Sequence, residues 1–230
     1  MRPRTIAIDG PAGSGKSTIG YALANRLGYA MLDTGVVYRL VAAEAIRQET
    51  DPDDESAVSD VAAQTLRDVQ VQYATDGRAY VSFRGTPVQN IEELHTRNVS
   101  SFVPRVARHP SVRTQVKGIQ RKMIDAGFTI VAGRDIGTVV APDAELKLYL
   151  DVSLEERAAR RMWSMDNLAV TQDQVQKDLA ARDTMDKGRA TSPLTVPPDA
   201  LVVRTDKLSV GDTVEMIIVM CGISGHENAS

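Results

Sequence analysis

Cysteine is nearly missing from this chain: Cys221 stands alone among 230 residues. An intramolecular disulfide and any multi-cysteine metal site are thereby excluded, and a reducing compartment, the cytoplasm, is expected. Helix packing is the expected role of that thiol. The three histidines, His95, His109 and His226, are too scattered to imply a metal site. A basic excess is missing as well. The formal net charge is -3, which argues against a general binder of nucleic acid or membrane surfaces. No apolar run reaches bilayer length, and Thr5-Ile6-Ala7-Ile8 after Met1-Arg2-Pro3-Arg4 is too short for a signal peptide. Internal repeats and low-complexity tracts are also lacking. Small-molecule partners and a monomeric chain are expected.

What is present is ordinary in bulk and specific in order. Apolar residues make up 43% and charged residues 25%, enough to bury the core of a single domain. Short β-type runs recur, each followed by a turn and a segment of helical period, which is the pattern of a parallel α/β sheet with helices on both faces. The first strand is Thr5 to Ile8, and its helix carries Ile19, Ala22, Leu23 and Leu27, with Gly28 as a stop. A second unit has strand Ala30 to Leu32, turn Asp33-Thr34-Gly35, and a helix bearing Val37, Leu40, Val41 and Ala45. From Val69 to Val88 the period changes to two, with Asp76-Gly77 as a hairpin turn. A polar helical stretch from Glu92 to Asp125 leads to strands at Phe128–Ala132 and Leu146–Leu150. Ser153 with Glu156, and Thr171 with Gln174, have the spacing of helix-opening capping boxes. A last strand, Ala200 to Val203, precedes a helix through Val210, Val214, Ile217, Ile218 and Cys221, and the tail from Ser224 to Ser230 reads as disordered.

Between the first strand and its helix lies Gly10-Pro11-Ala12-Gly13-Ser14-Gly15-Lys16-Ser17-Thr18. This matches GxxxxGK[ST] in the strand-to-helix setting its mechanism requires. Glycines let successive backbone N–H groups turn inward around phosphate oxygens, and the helix N-terminus adds partial positive charge. Lys16 supplies a full charge to the β- and γ-phosphates of ATP, and Ser17 a hydroxyl ligand for Mg²⁺. A GTPase would also need an Asp-x-x-Gly switch and an Asn-Lys-x-Asp base-reading run, which Thr205-Asp206-Lys207 imitates poorly. A motor or transport ATPase would need a longer chain and a strand ending in an acid. Small-molecule kinases remain. Transfer between two phosphorylated species gathers four or more negative charges, so fixed arginines are required, and Arg39, Arg134, Arg182 and Arg189 are the best candidates. Arg157, Arg160 and Arg161 share a helix face by spacing, which also suits a solvated charged surface.

Four motifs make the chain resemble the bacterial cytidylate kinase family over nearly its whole length. They are Ile8-Asp9-Gly10-Pro11 with the glycine loop, Leu32-Asp33-Thr34-Gly35 with Tyr38-Arg39, Gly133-Arg134-Asp135-Ile136-Gly137-Thr138-Val139-Val140 with Pro142-Asp143-Ala144, and Arg182-Asp183 with Asp186 and Arg189. The resemblance implies a five-stranded P-loop sheet flanked by helices, with a small antiparallel insertion and a helical lid. It implies a core of 1–50, 126–152 and 196–223, a monophosphate-binding insertion at about 51–125, and a lid at about 153–190. It also implies ATP-dependent phosphorylation of CMP or dCMP. The family pattern places Asp33, Thr34, Tyr38, Arg39, Arg113 and Arg134 at the acceptor nucleotide, and Asp135 at its base. Arg182 and Asp186 fall at the acceptor sugar and phosphates, and Arg157, Arg161 and Arg189 in the lid, the first two toward ATP. Lys16, Arg134 and Arg182 are the expected catalytic residues.

Two positions depart from the family pattern. Ala132 stands where an acid supporting the Mg²⁺ shell is usual, which leaves Asp9, Asp33 or Asp135 to hold the magnesium waters. Pro104 stands where a serine helps to read cytosine, with Ser100 and Ser101 about one turn away, and two extra residues fall near Gln89 to Glu93. A different or modified nucleoside monophosphate is therefore an alternative acceptor. A regulator that binds nucleotide without catalysis is a third reading.

Overall fold

The computed structural model describes residues 2–163 and 171–223. The expected disorder of 224–230, and His226 with it, lie outside the described residues, as does part of the expected lid. The strands are β1 (Thr5–Asp9), β2 (Ala30–Asp33), β3 (Val69–Tyr73), β4 (Ala79–Phe83), β5 (Thr86–Pro87), β6 (Thr129–Gly133), β7 (Leu146–Asp151) and β8 (Leu201–Arg204). The helices are α1 (Lys16–Leu27), α2 (Thr34–Arg47), α3 (Glu55–Arg67), α4 (Arg97–Val106), α5 (Pro110–Asp125), α6 (Leu154–Trp163), α7 (Gln172–Lys187) and α8 (Val210–Cys221). Five strands form a parallel sheet in the order β2-β6-β1-β7-β8, and β3-β4-β5 form a separate antiparallel one, as expected. No described helix is long and apolar enough to cross a membrane.

The chain divides into two compact units, Met1–Tyr29 with Ala132–Ser230, and Ala30–Val131. In the first, β1 pairs with β7 in a register that sets Ile8 beside Leu148 and Asp9 beside Tyr149, and β7 continues to β8. Ile6, Ile8, Leu148 and Leu150 are fully buried, as continuous apolar strands covered on both faces should be. Helix α1 packs on α8 and ends at Gly28 in the left-handed conformation, whose N–H caps Ala24 O. α6 packs on α7, and their starts use Ser153 and Thr171 hydroxyls to accept the Glu156 and Gln174 N–H groups at 3.3 Å.

In the second unit, the hairpin of β3 and β4 sets Val69 opposite Phe83 and Tyr73 opposite Ala79. It packs with α2 to α5. Val112, Val116, Ile119 and Met123 give α5 one buried stripe. Three details differ from the sequence reading. Asp33-Thr34-Gly35 is a helix start rather than a turn, because Asp33 accepts the Gly35 N–H at 3.0 Å and caps α2. Helix α3, capped by Asp54, has no counterpart in the sequence reading. The long polar stretch from Glu92 is split into a short 3₁₀ turn, α4 and α5, since Pro110 suits the first position of a new helix.

Candidate active site

The phosphate loop leaves the buried end of β1 and enters α1. Gly10 is required by a close approach, because a β-carbon there would lie 2.7 Å from Leu150 O. Gly15 precedes α1 with φ 86°, a left-handed value that disfavours other residues. Lys16 is buried, and its Nζ arches back to Pro11 O at 2.7 Å and Ser14 Oγ at 3.2 Å. The ammonium is thus held over the loop rather than extended into solvent. Ser14 is fully buried, Ser17 lies in the first turn of α1, and Thr18 is exposed. Ala12 turns both its backbone groups toward the helices. Its N–H goes to Asp183 Oδ1 at 3.1 Å, and its carbonyl accepts Arg157 Nη1 at 2.8 Å.

A second cluster of the same unit gathers around Asp186. This carboxylate is almost fully buried at the end of α7. Its Oδ2 accepts Arg134 Nε at 2.7 Å, and its Oδ1 accepts Arg189 Nη2. Burial pushes the carboxyl up, but the Arg134, Arg189 and Arg182 guanidiniums outweigh that and hold it below the usual carboxylate range. Two arginines picked from the sequence, Arg134 and Arg189, therefore meet on one aspartate, and the charge of a third, Arg182, acts on it. Helix α7 runs on to Lys187, so Arg182 and Asp186 sit in its last turns.

Asp9, at the end of β1, ties the loop to the turn after β6. It accepts the N–H groups of Ile136 and Gly137 at 2.8 and 2.7 Å. Residues Ile136–Val140 form a single wide turn whose backbone would otherwise lack acceptors there. Burial pushes Asp9 up to about 6, the two N–H groups oppose this, the nearby Asp135 charge adds to it, and Lys16 counters it. Asp135 itself is buried.

The three arginines of α6 do not share an environment. Arg157 is buried and engaged by Val152 O, Ala12 O and Asp183. Arg160 is half-buried, bonds Glu156 and Thr205, and its Nη1 lies 3.7 Å from where a Gly15 β-carbon would stand. Arg161 is exposed. Asp183 and Arg160 were given no place in the site by sequence reasoning. For Arg160 the signal was its one-turn spacing from Arg157; for Asp183 it was adjacency to Arg182.

In the second unit, α2 carries Asp33 at its cap, buried Thr34 and Tyr38, and half-buried Arg39. Arg39 Nη1 donates to Leu94 O and to Ser100 Oγ, both at 2.9 Å. Arg113, on α5, donates to Ala107 O at 3.1 Å and holds its guanidinium 5.6 Å from the Tyr38 ring centroid. Ser100 and Ser101 are separated by the fold. Ser100 faces Arg39, whereas Ser101 Oγ donates to Asn98 O. Pro104 lies inside α4, where it has no N–H to donate.

No group of three or more carboxylate, histidine or cysteine side chains able to hold a metal is found among the described residues. Magnesium does not need one, since one or two protein oxygens and nucleotide phosphates usually hold it. Ser17 offers a hard hydroxyl oxygen at the loop, so the residues present fit a nucleotide-borne ion. Ala132 is buried and adds no acid. Asp9 spends its oxygens on backbone N–H groups, and Asp33 on its helix cap.

The family model described as cytidylate kinase matches residues 6–222. The cytidylate kinase of Pelotomaculum thermopropionicum is 41% identical over 224 residues, covering 96% of this chain and 97% of that protein. That of Chloroflexus aggregans is 40% identical over 222 residues, covering 94% and 93%. Among solved structures, an uncharacterized protein from Eubacterium ventriosum has a TM-score of 0.53 at 13% identity, covering 95% of this chain and 97% of that one, a likeness of fold alone.

Proposed function

The chain belongs to the cytidylate kinase family, and from that membership we propose that it phosphorylates CMP or dCMP to the diphosphate with ATP. The observation that carries this reading is the pairing of Arg134 and Arg189 with buried Asp186, in the same unit as the phosphate loop. A fixed cluster of guanidiniums is what transfer between two phosphorylated nucleotides demands.

Each residue takes a role on this reading. Gly10 to Thr18 bind the donor triphosphate, with Lys16 on the β- and γ-phosphates and Arg161 reaching them from α6. Ser17 would hold a magnesium ion, whose charge would offset that building on the leaving oxygen. Asp33, Thr34, Tyr38, Arg39 and Arg113 bind the acceptor nucleotide and Asp135 its base. Arg134 and Arg182 orient the acceptor phosphate, with Asp186 fixing the fork of Arg134. Arg189 completes the cluster. Residues 51–125 act as the monophosphate-binding insertion and 153–190 as the lid, of which 164–170 lie outside the described residues.

The chemistry needs no general base. An acceptor phosphate near neutral pH already offers an unprotonated oxygen, its second pKa being about 6. That oxygen bonds to the γ-phosphorus as the bond to the β,γ-bridging oxygen breaks, which leaves ADP. Arginines and Lys16 stabilise the charge spread over the moving group. A second reading, a different or modified nucleoside monophosphate as acceptor, draws support from Pro104 in α4, with Ser100 as the hydroxyl beside Arg39.

The test is purified protein with ATP and Mg²⁺ against CMP, dCMP, UMP, AMP, GMP and modified cytidylates, reading ADP release. CMP and dCMP are expected to lead. A modified cytidylate in front would favour the second reading, and no acceptor-dependent ADP would remove both.

A further inference from the structure

A glycine-rich loop has conformational freedom to lose before it can wrap a phosphate, and whatever restricts it beforehand raises affinity. Loop residue Ala12 is restricted in three ways at once. Its N–H donates to Asp183 Oδ1 at 3.1 Å. Its carbonyl accepts Arg157 Nη1 at 2.8 Å. Its methyl group belongs to a small apolar cluster with Ala158, Val175 and Leu179. All these partners come from α6 and α7. Arg157 and Asp183 also pair with each other at 2.7 Å, both are buried, and Arg157 Nε is taken by Val152 O at 3.2 Å. Next along, a β-carbon at Gly13 would stand 3.4 Å from Arg157 Cβ.

Family likeness places Arg157 among the lid arginines that meet ATP. Its geometry points elsewhere. Both its Nε and Nη1 are committed to protein oxygens, and the carboxylate that balances its charge holds the loop as well.

We propose that Arg157 and Asp183 are positioning residues that seat Ala12 against α6 and α7, shaping the phosphate loop for its donor without touching it. The proposal rests on the reading that this loop binds ATP. Breaking the pair leaves a buried charge uncompensated and releases one backbone group of Ala12. The freed loop then binds any polyphosphate less well. Because the effect passes through the loop, ATP and ADP should be weakened alike, and the two residues should act as one.

The test is equilibrium binding of ATP and ADP by calorimetry to the full chain, for wild type, Arg157→Met, Asp183→Ala, the double variant and Asp183→Asn, with melting temperatures alongside. Arg157→Met and Asp183→Ala should each weaken both nucleotides by about tenfold, as lost pre-organisation would. The double variant should be little worse than either single one. Asp183→Asn should keep most of the affinity, because its amide oxygen still accepts the Ala12 N–H. Should Asp183→Ala fail to fold, Ala12→Gly loosens the same seat with the ion pair intact, and it should weaken both nucleotides severalfold.

Wild-type affinity in Asp183→Ala or Ala12→Gly, with only a lower melting temperature, would overturn the proposal. So would a loss confined to Arg157→Met and larger for ATP than ADP, which would put the guanidinium on the γ-phosphate. Binding does not require transfer, so a wild type that binds ATP yet phosphorylates no cytidylate would fail the functional reading alone.

Discussion

Asp186 holds Arg134 by a 2.7 Å hydrogen bond from Nε, which joins the end of α7 to the turn after β6. The bond points the remaining guanidinium face of Arg134 in one direction, and Arg189 braces Asp186 from its other oxygen. An arginine fixed this way can pair two phosphate oxygens without first losing its rotamer freedom.

Arg134→Met should therefore lower kcat by about a hundredfold or more, the range expected when a reacting group is mispositioned. Steady-state ADP release at saturating ATP and CMP reads this out. Turnover at the wild-type rate would return Arg134 to a structural role.

Asp9 sets a pH dependence of stability. Burial lifts its carboxyl from the ordinary 3.8 to about 6, so the folded protein holds this proton more tightly than the unfolded chain. The associated stability is present below about pH 4 and is lost as pH rises to about 6, and a displacement of that size is worth about 3 kcal/mol. Asp9→Asn lacks this slope. In nucleotide-free protein, its stability relative to wild type, from urea unfolding, should rise by up to that amount between pH 4 and 6.5. A flat difference would show that Asp9 titrates normally.

Ala132 leaves the end of β6 without an acid. Ala132→Asp should lower the Mg²⁺ concentration giving half-maximal rate, by about threefold to tenfold if one water-mediated carboxylate contact is gained. A magnesium titration at fixed ATP decides this, and an unchanged curve would mean that Ser17 and the nucleotide suffice.

Ser100 orients Arg39. Ser100→Ala should raise KM for CMP by about tenfold, within the range for a hydrogen bond to a charged group. KM for ATP should stay the same. Ser101→Ala, whose hydroxyl is turned onto Asn98 O, should change neither.

Much of the donor side was legible because its signals are local. The run from Gly10 to Thr18 between an apolar strand and a helix announces itself, and so do the Asp76-Gly77 hairpin and the Ser153 and Thr171 caps. Helix α3 was obscured by its position after Asp51-Pro52, which reads as a break. Asp33 looked like a turn residue because the chemistry of an N-cap and of a turn is the same, one carboxylate accepting a nearby N–H.

The sequence by itself determined the strand and helix alternation, the phosphate loop and the inventory of arginines, since each depends on residues within one or two turns of one another. Tertiary structure alone decided which of those arginines converge. It placed Arg134 and Arg189 on Asp186 and Arg39 on Ser100, and buried Arg157 against Asp183 while leaving Arg161 exposed. The reason is distance along the chain. Ala12 and Asp183 are 171 residues apart, and Asp9 and Gly137 are 128 apart. Such pairs are created by strand order and helix packing, which no local pattern of charge or apolarity encodes.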